Sequence, residues 1–212
     1  MNSKSFLIAE LAFLFIVMPL LLMIEVPSII KGGLVISCLI YVLYISYKEK
    51  MYDPKGMLNF KQTPWKLIFL RFIILALMLY GLMYFFKPDL LFTMVKQRPD
   101  IWILFVFIYS FLSVIPQELI YRSYFFLRYK AILKDGFSAI LLNAFVFSFA
   151  HIIFWNLWVL ILTFVGGLLF AATYKKSDSI IATSVEHTLY GSWLFTIGTG
   201  EMLAFPGVEQ FN

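Results

Sequence analysis

Long apolar runs alternate with short groups of charged and turn-forming residues along almost the whole chain. Seven of them have about the length that a helix needs to cross a bilayer, which is about 20 residues. These runs lie at about 6–24, 27–46, 67–86, 101–117, 137–153, 156–174 and 180–199. They show no period-2 alternation of the kind that membrane β-barrels carry. Because backbone groups in lipid must be hydrogen-bonded internally, the pattern predicts membrane helices.

The apolar stretch 101–133 is less simple, because Pro116 interrupts it. It fits one spanning helix followed by an amphipathic one, or two short helices that both enter the membrane. Pro116 suits a helix start, where its missing N–H is not needed. The pattern therefore predicts an all-α, polytopic transmembrane helix bundle of about seven to eight membrane helices, forming a single integral membrane domain over residues 1–212.

Composition agrees with a membrane protein, since 62% of the 212 residues are hydrophobic and only 14% are charged. An ordinary soluble domain has about 45–50% apolar and about 25% charged residues. Cys38 is the only cysteine, so an intrachain disulfide and a thiolate metal cluster are excluded.

The basic residues predict the orientation of the chain in the membrane. If the chain crosses seven times, eleven of the seventeen basic residues, Arg128 among them, lie on the side of the N-terminus. Four lie on the opposite side, and the remaining two, Arg71 and Arg122, lie in helical runs. The excess marks the N-terminal side as cytoplasmic. No basic cluster alternates with aromatic residues, so nucleic acid is not an expected partner.

Few ionisable side chains lie inside the apolar runs, and such residues are functional candidates because each costs about 2.5–3.5 kcal/mol at the bilayer centre. The candidates are Glu10, Glu118, Arg122, His151, Glu186 and His187. Glu10 is close to the N-terminal interface, where snorkelling to the headgroups is the simplest interpretation.

Glu118 and Arg122 are four residues apart, so on a helix they share one face, with the acid N-terminal to the base. A neutralising ion pair is the structural alternative for them. His187 lies near the middle of its run and needs a buried hydrogen-bond partner, whereas a single His151 at a helix end is often interfacial. We expect the four residues to converge on one site, which requires residues 117–129 to be largely buried.

Three short motifs in this order resemble a known family. They are Glu118-x-x-x-Arg122, Phe147-x-x-x-His151 and the late His187. The order and spacing resemble the CPBP family of intramembrane proteases, also called the ABI family, which includes the CAAX prenyl endopeptidases and bacterial bacteriocin-processing relatives. The resemblance covers a motif-bearing core of about 110–200.

Two positions depart from the family pattern, which reads Glu-Glu-x-x-x-Arg, Phe-x-x-x-His and His-x-x-x-Asn. Gln117 stands in place of the first Glu, which in the family is usually taken as the base, and Gly191 stands in place of the Asn. Glu118 is the surviving carboxylate of the pair, and Glu186 is a second candidate base.

The resemblance implies hydrolysis of a peptide bond without a covalent intermediate. Glu118 would activate water, Arg122 would hold the carboxylate ionised, and His151 and His187 would donate hydrogen bonds to the tetrahedral oxyanion. No cofactor is expected, and a zinc ion held by Glu118, His151 and His187 is the metal alternative.

Three functions remain open at this point. The first is an endopeptidase acting on a protein or peptide substrate at the lipid bilayer. The second is an inactive family member that acts as a membrane binding or chaperone-like partner, and the third is a small-molecule transporter, although no internal repeat supports it. A bacterial plasma membrane is the expected location. The sequence leaves the substrate and the oligomeric state open.

Overall fold

The computed structural model describes residues 3–51, 59–133 and 136–200, and within these ranges the chain is helical without a β-strand. The helices are α1 (Lys4–Met23), α2 (Ser28–Lys48), α3 (Trp65–Phe86), α4 (Thr93–Gln97), α5 (Pro99–Arg128), α6 (Phe137–Phe154), α7 (Leu157–Ser177) and α8 (Ile180–Thr196). Part of the predicted loop 47–66, residues 52–58, lies outside the described residues.

Of the described helices, six are long and apolar enough to cross a membrane by length and composition, namely α1 to α3 and α5 to α7. Helix α8 has 17 residues and falls just short of the usual span of about 20. The predicted all-α, polytopic helix bundle is therefore confirmed.

Pro116 does not begin a helix, so both predicted arrangements of 101–133 were wrong. Helix α5 is continuous over 30 residues, and the turn that contains Pro116, Ile115–Glu118, lies between two π-helical segments, Tyr109–Val114 and Leu119–Tyr124. Proline removes one hydrogen bond and crowds the carbonyl four residues earlier. The wide π turns relieve this conflict without ending the helix, which a sequence pattern does not reveal.

The second half of α5 runs through the interior of the bundle. Between residues 117 and 129 only Leu127 is exposed, as the expected convergence of site residues requires. The ring of Phe15, from α1, makes edge contacts with Tyr121, Phe125 and Tyr129. Aromatic side chains thus bury this half of α5 among its neighbours.

Close packing of α6 on α7 depends on a glycine. A Cβ atom added to Gly167 would lie 2.9 Å from the Cα atom of Ala144, which real Cβ contacts almost never allow. The neighbouring Gly166 would meet only Phe170 of its own helix. Gly167 therefore allows the backbones of α6 and α7 to approach closely.

Glu10 does not snorkel, which corrects the sequence interpretation. Its carboxylate is 7% exposed and makes a two-point ion pair with Arg128, from Nε to Oε2 at 2.8 Å and from Nη2 to Oε1 at 3.0 Å. Tyr41 donates to the same carboxylate, and Arg128 also pairs with Glu49. Arg128 is therefore a buried partner of Glu10 rather than a residue of an exposed loop.

We expect Gly167→Leu to lower the melting temperature of the protein in detergent micelles. The added side chain must push α6 away, and overpacking of this kind typically costs about 1–3 kcal/mol. Gly32→Leu is the matched control, because nothing lies within 4 Å of a Cβ atom at Gly32. Equal melting temperatures for the two variants would contradict the close contact.

Candidate active site

The turn between α7 and α8 sets the register of α8. Asp178 adopts a left-handed conformation with φ 50° and ends α7. Ser179 then caps α8, its hydroxyl accepting a hydrogen bond from the backbone N–H of Ala182 at 3.2 Å. Ser and Asp are favoured at such positions because their side chains replace backbone partners. The tight turn returns α8 along α7 and brings His187 into the interior.

Glu118 is the centre of a buried polar cluster that joins α5 to α8. One carboxylate oxygen, Oε1, lies 2.8 Å from Nδ1 of His187, and the other, Oε2, lies 3.3 Å from Nε of Arg122. Glu118 and Arg122 are 0% exposed and His187 is 6% exposed. Three of the four predicted site residues therefore meet directly.

Arg122 is held by groups from other helices. Its Nη1 donates to the side-chain oxygen of Asn143, which comes from α6, and the amide of Asn143 donates to the carbonyl of Tyr121. The guanidinium carbon lies 4.7 Å from the ring centre of Phe147 and 5.7 Å from that of Phe170. Hydrogen bonds and aromatic faces thus stabilise the buried cation on several sides.

Aromatic rings also enclose His187. Its ring stacks on Phe170 with centres 4.6 Å apart, and it meets the edges of Phe147 at 5.5 Å and Tyr109 at 6.0 Å. This apolar surround strengthens the polar contacts of the imidazole, because electrostatic interactions are stronger where water is excluded.

His151 lies next to the cluster and contacts it through an aromatic ring. It lies in the 3₁₀ turn Ala150–Phe154 that ends α6, and its Nδ1 lies 2.8 Å from the carbonyl oxygen of Phe147. Its ring contacts Phe147 at 4.9 Å, and Phe147 in turn contacts His187. His151 is thus linked to the Glu118 cluster through the ring of Phe147.

The hydrogen bonds of the two histidines assign their protons. A carbonyl oxygen and an ionised carboxylate can only accept a hydrogen bond. The Nδ1 atoms of His151 and His187 therefore donate, to Phe147 and to Glu118 respectively. In its neutral form each ring then presents Nε2 as an acceptor.

Several buried polar atoms at the centre of the site have no hydrogen-bond partner among the described residues. They are Oε2 of Glu118 and Nε of Arg122, which face each other at 3.3 Å in the ion pair without a hydrogen bond, together with Nη2 of Arg122 and Oε1 of Gln117. Gln117 uses its amide N–H to donate to Ser113 at 2.8 Å. Unpartnered buried groups are uncommon, and a bound water or a catalytic role is among the explanations for them.

A zinc ion held by Glu118, His151 and His187 stays a prediction. The described residues contain no group of three or more His, Cys, Asp or Glu side chains placed to hold one metal ion. Glu118 and His187 meet directly, whereas the ring of His151 lies against Phe147.

Glu186, the second candidate base, belongs to a different set of contacts. Tyr190 donates to its Oε1 at 3.1 Å, and Nη1 of Arg71 lies 3.9 Å from the same atom. Glu186 is 0% exposed, yet its partners come from α3 and from its own helix. Adjacent helical residues point about 100° apart, which separates Glu186 from the face that carries His187.

Sequence reasoning missed Asn143 and Phe170, which complete the surroundings of Arg122. Asn143 had a detectable signal, because it is four residues before Phe147 and eight before His151 and so lies on the same face of α6. Phe170 had none, since it is one apolar residue among many. Only the packing of α7 on α6 brings its ring to Arg122 and His187.

Comparison with known proteins agrees with the motifs. Residues 99–193 match the family model described as type II CAAX prenyl endopeptidase Rce1-like. This match spans the Glu118, His151 and His187 motifs and confirms the predicted family resemblance. No curated protein and no solved structure matches the chain.

We expect Asn143→Ala to destabilise the protein by about 1.5–3 kcal/mol, the usual range for a hydrogen bond to a charged group. The variant removes an acceptor from buried Arg122 and a donor from the Tyr121 carbonyl. Melting in detergent micelles measures the loss. Ser148→Ala is the comparison on the same helix, because it removes only a neutral bond to the Leu160 carbonyl, and a smaller loss for Asn143→Ala would contradict this account.

Proposed function

We propose that this membrane protein hydrolyses peptide bonds of membrane-associated or membrane-delivered proteins, because residues 99–193 match the family model described as type II CAAX prenyl endopeptidase Rce1-like. The observation that carries the proposal is the buried contact of Glu118 with Arg122 and His187. A carboxylate buried between two helices, paired with a cation and with an oxygen left for water, is what general-base hydrolysis needs.

The proposed reaction uses Oε2 of Glu118, which lacks a hydrogen-bond partner among the described residues. This oxygen takes a proton from water while the water oxygen bonds to the peptide carbonyl carbon. Collapse of the tetrahedral intermediate breaks the C–N bond, and Glu118 returns the proton to the leaving amine. Arg122 and His187 stabilise the ionised carboxylate and fix its orientation.

The histidines carry a condition in this proposal. His151 and His187 were expected to donate to the oxyanion, but the Nδ1–H group of each ring already donates to another acceptor. Donation from Nε2 then requires the doubly protonated imidazolium. With neutral rings the oxyanion needs a donor from another residue, and Nη2 of Arg122 is one that has no other partner among the described groups.

The alternative function is that of an inactive relative which binds membrane proteins without cutting them. The observations that favour it are Gln117 and Gly191, where the family pattern has Glu and Asn. Gln117 cannot act as a base, so this alternative is correct only if Glu118 fails to activate water. A transporter has no comparable support in the described residues.

We expect Glu118→Gln to reduce peptide cleavage by at least about 10²-fold, because general-base catalysis contributes about 10²–10⁴-fold. The assay uses the purified protein in proteoliposomes with two quenched peptides, one a farnesylated CAAX peptide and one an unprenylated membrane-spanning peptide. Mass spectrometry of the products locates the cut. Two probes are needed because the site does not identify the substrate.

Glu186→Gln is the matched control for this experiment, since it neutralises a second buried carboxylate one residue from His187. It should leave cleavage unchanged. If Glu186→Gln abolishes cleavage and Glu118→Gln does not, Glu186 is the base. If the unaltered protein cuts neither peptide yet retains its binding to membrane proteins after Glu118→Gln, the binding function replaces the protease.

We also propose that the N-terminus faces the cytoplasm of a bacterial plasma membrane, from the excess of basic residues on that side. In a Cys38→Ser background, a cysteine at exposed Ser3 should be protected from a membrane-impermeant maleimide in intact cells. A cysteine at Asp89, in the connection after α3, should react. Reaction at Ser3 and protection at Asp89 would reverse the orientation.

A further inference from the structure

The hydroxyl of Tyr109 occupies the place where a side chain at position 191 would begin. A Cβ atom added to Gly191 would lie 1.9 Å from the Tyr109 oxygen and 2.4 Å from its Cζ atom. Gly191 is the residue at which the family pattern has Asn. The phenol of Tyr109, which belongs to α5, thus fills the space that a side chain at position 191 of α8 would occupy.

Position 191 faces the candidate active site. On α8, His187 and Gly191 are four residues apart and so lie on one face, one turn from each other. His187 uses that face to reach Glu118 at 2.8 Å. The Tyr109 ring meets the His187 ring edge-on at 6.0 Å.

The position of the Tyr109 ring is well defined by its neighbours. It stacks on Phe105 with centres 6.0 Å apart and meets the edge of Phe195 at 5.5 Å. Tyr109 is also the first residue of the π-helical segment Tyr109–Val114. These contacts hold the hydroxyl beside Gly191 without using its oxygen, so no described residue occupies the O–H group and it can donate to another partner.

The site has a chemical need that this hydroxyl meets. The Nδ1–H groups of His151 and His187 are already engaged, and their neutral rings present acceptors at Nε2. A tetrahedral oxyanion requires donors, and removing one of them typically slows a reaction by about 10²–10³-fold. A phenol O–H can donate without a change of charge.

We propose that Tyr109 is a catalytic residue of this chain, whose hydroxyl donates a hydrogen bond to the developing oxyanion from the space that Gly191 leaves open. The inference rests on the proposed peptide hydrolysis. It also gives the departure at position 191 a physical reason, because any side chain there would collide with the tyrosine. A donor is retained at the same point, supplied by α5 instead of α8.

The first test is Tyr109→Phe, assayed with the same two quenched peptides in proteoliposomes. The change removes one oxygen and keeps the ring contacts, so we expect kcat to fall about 10²-fold or more while KM and the melting temperature stay the same. Tyr84→Phe is the matched control, since Tyr84 is an exposed tyrosine of α3. It should leave kcat unchanged.

The second test exchanges the donors between the two helices. Gly191→Asn alone should lower the melting temperature, because its Cβ atom collides with the fixed phenol. In a Tyr109→Ala background the same substitution should be tolerated. The double variant should have a kcat at least tenfold higher than that of Tyr109→Ala alone. The melting temperatures test the steric contact whether or not a substrate is cut.

The outcomes separate this inference from the protease proposal. If the unaltered protein cuts a peptide and Tyr109→Phe cuts it with the same kcat, the donor role is overturned and the protease stands. A lower kcat accompanied by a lower melting temperature in Tyr109→Phe would overturn the donor role in favour of a structural one. If neither peptide is cut by the unaltered protein, the donor role falls together with the proposed function.

Discussion

The buried ion pair of Glu118 and Arg122 is the constraint on which the rest of the structure depends. Removing two charges from water carries a penalty of several kcal/mol for each ion, and their mutual attraction offsets it only when further hydrogen bonds are supplied. Here α8 supplies His187, α6 supplies Asn143, and the rings of Phe147 and Phe170 lie against the guanidinium. The packing of α6, α7 and α8 around α5 therefore surrounds the site and stabilises its charges at the same time.

The π-helical segments of α5 change the direction in which its side chains point. Tyr109 and Glu118 are nine residues apart, which is about two and a half turns of a regular α-helix and would place them on opposite faces. Both nevertheless contact α8, Glu118 through His187 and Tyr109 at His187 and Gly191. The widened turn Tyr109–Val114 changes the register between them. Insertions of this kind recur at functional sites because they redirect side chains without ending the helix.

Three carboxylates that are buried among the described residues occupy separate environments in this bundle. Glu10 is held by a two-point ion pair with Arg128 and by Tyr41, and Glu186 pairs with Tyr190 and Arg71. Among the described residues, only Glu118 contacts both an imidazole and a guanidinium and also has an oxygen without a hydrogen bond. Burial by itself thus marks three candidates, and the pattern of partners distinguishes one of them. Intramembrane charge is a good guide to where polar networks lie, but not to which network performs chemistry.

The sequence by itself indicated the membrane helices and the resemblance to a protease family, and it singled out Glu118, Arg122 and His187, because hydrophobic length and i, i+4 spacing are properties of a single helix. It failed at Pro116 and at Glu10, since each depends on neighbours that are distant in the chain. The tertiary structure alone decided that α5 continues past its proline, that Asn143 and Phe170 surround Arg122, and that Tyr109 fills the space beside Gly191. These features arise from contacts between helices, and the apolar pattern of a membrane protein is nearly the same on every face, so it carries little information about which faces meet.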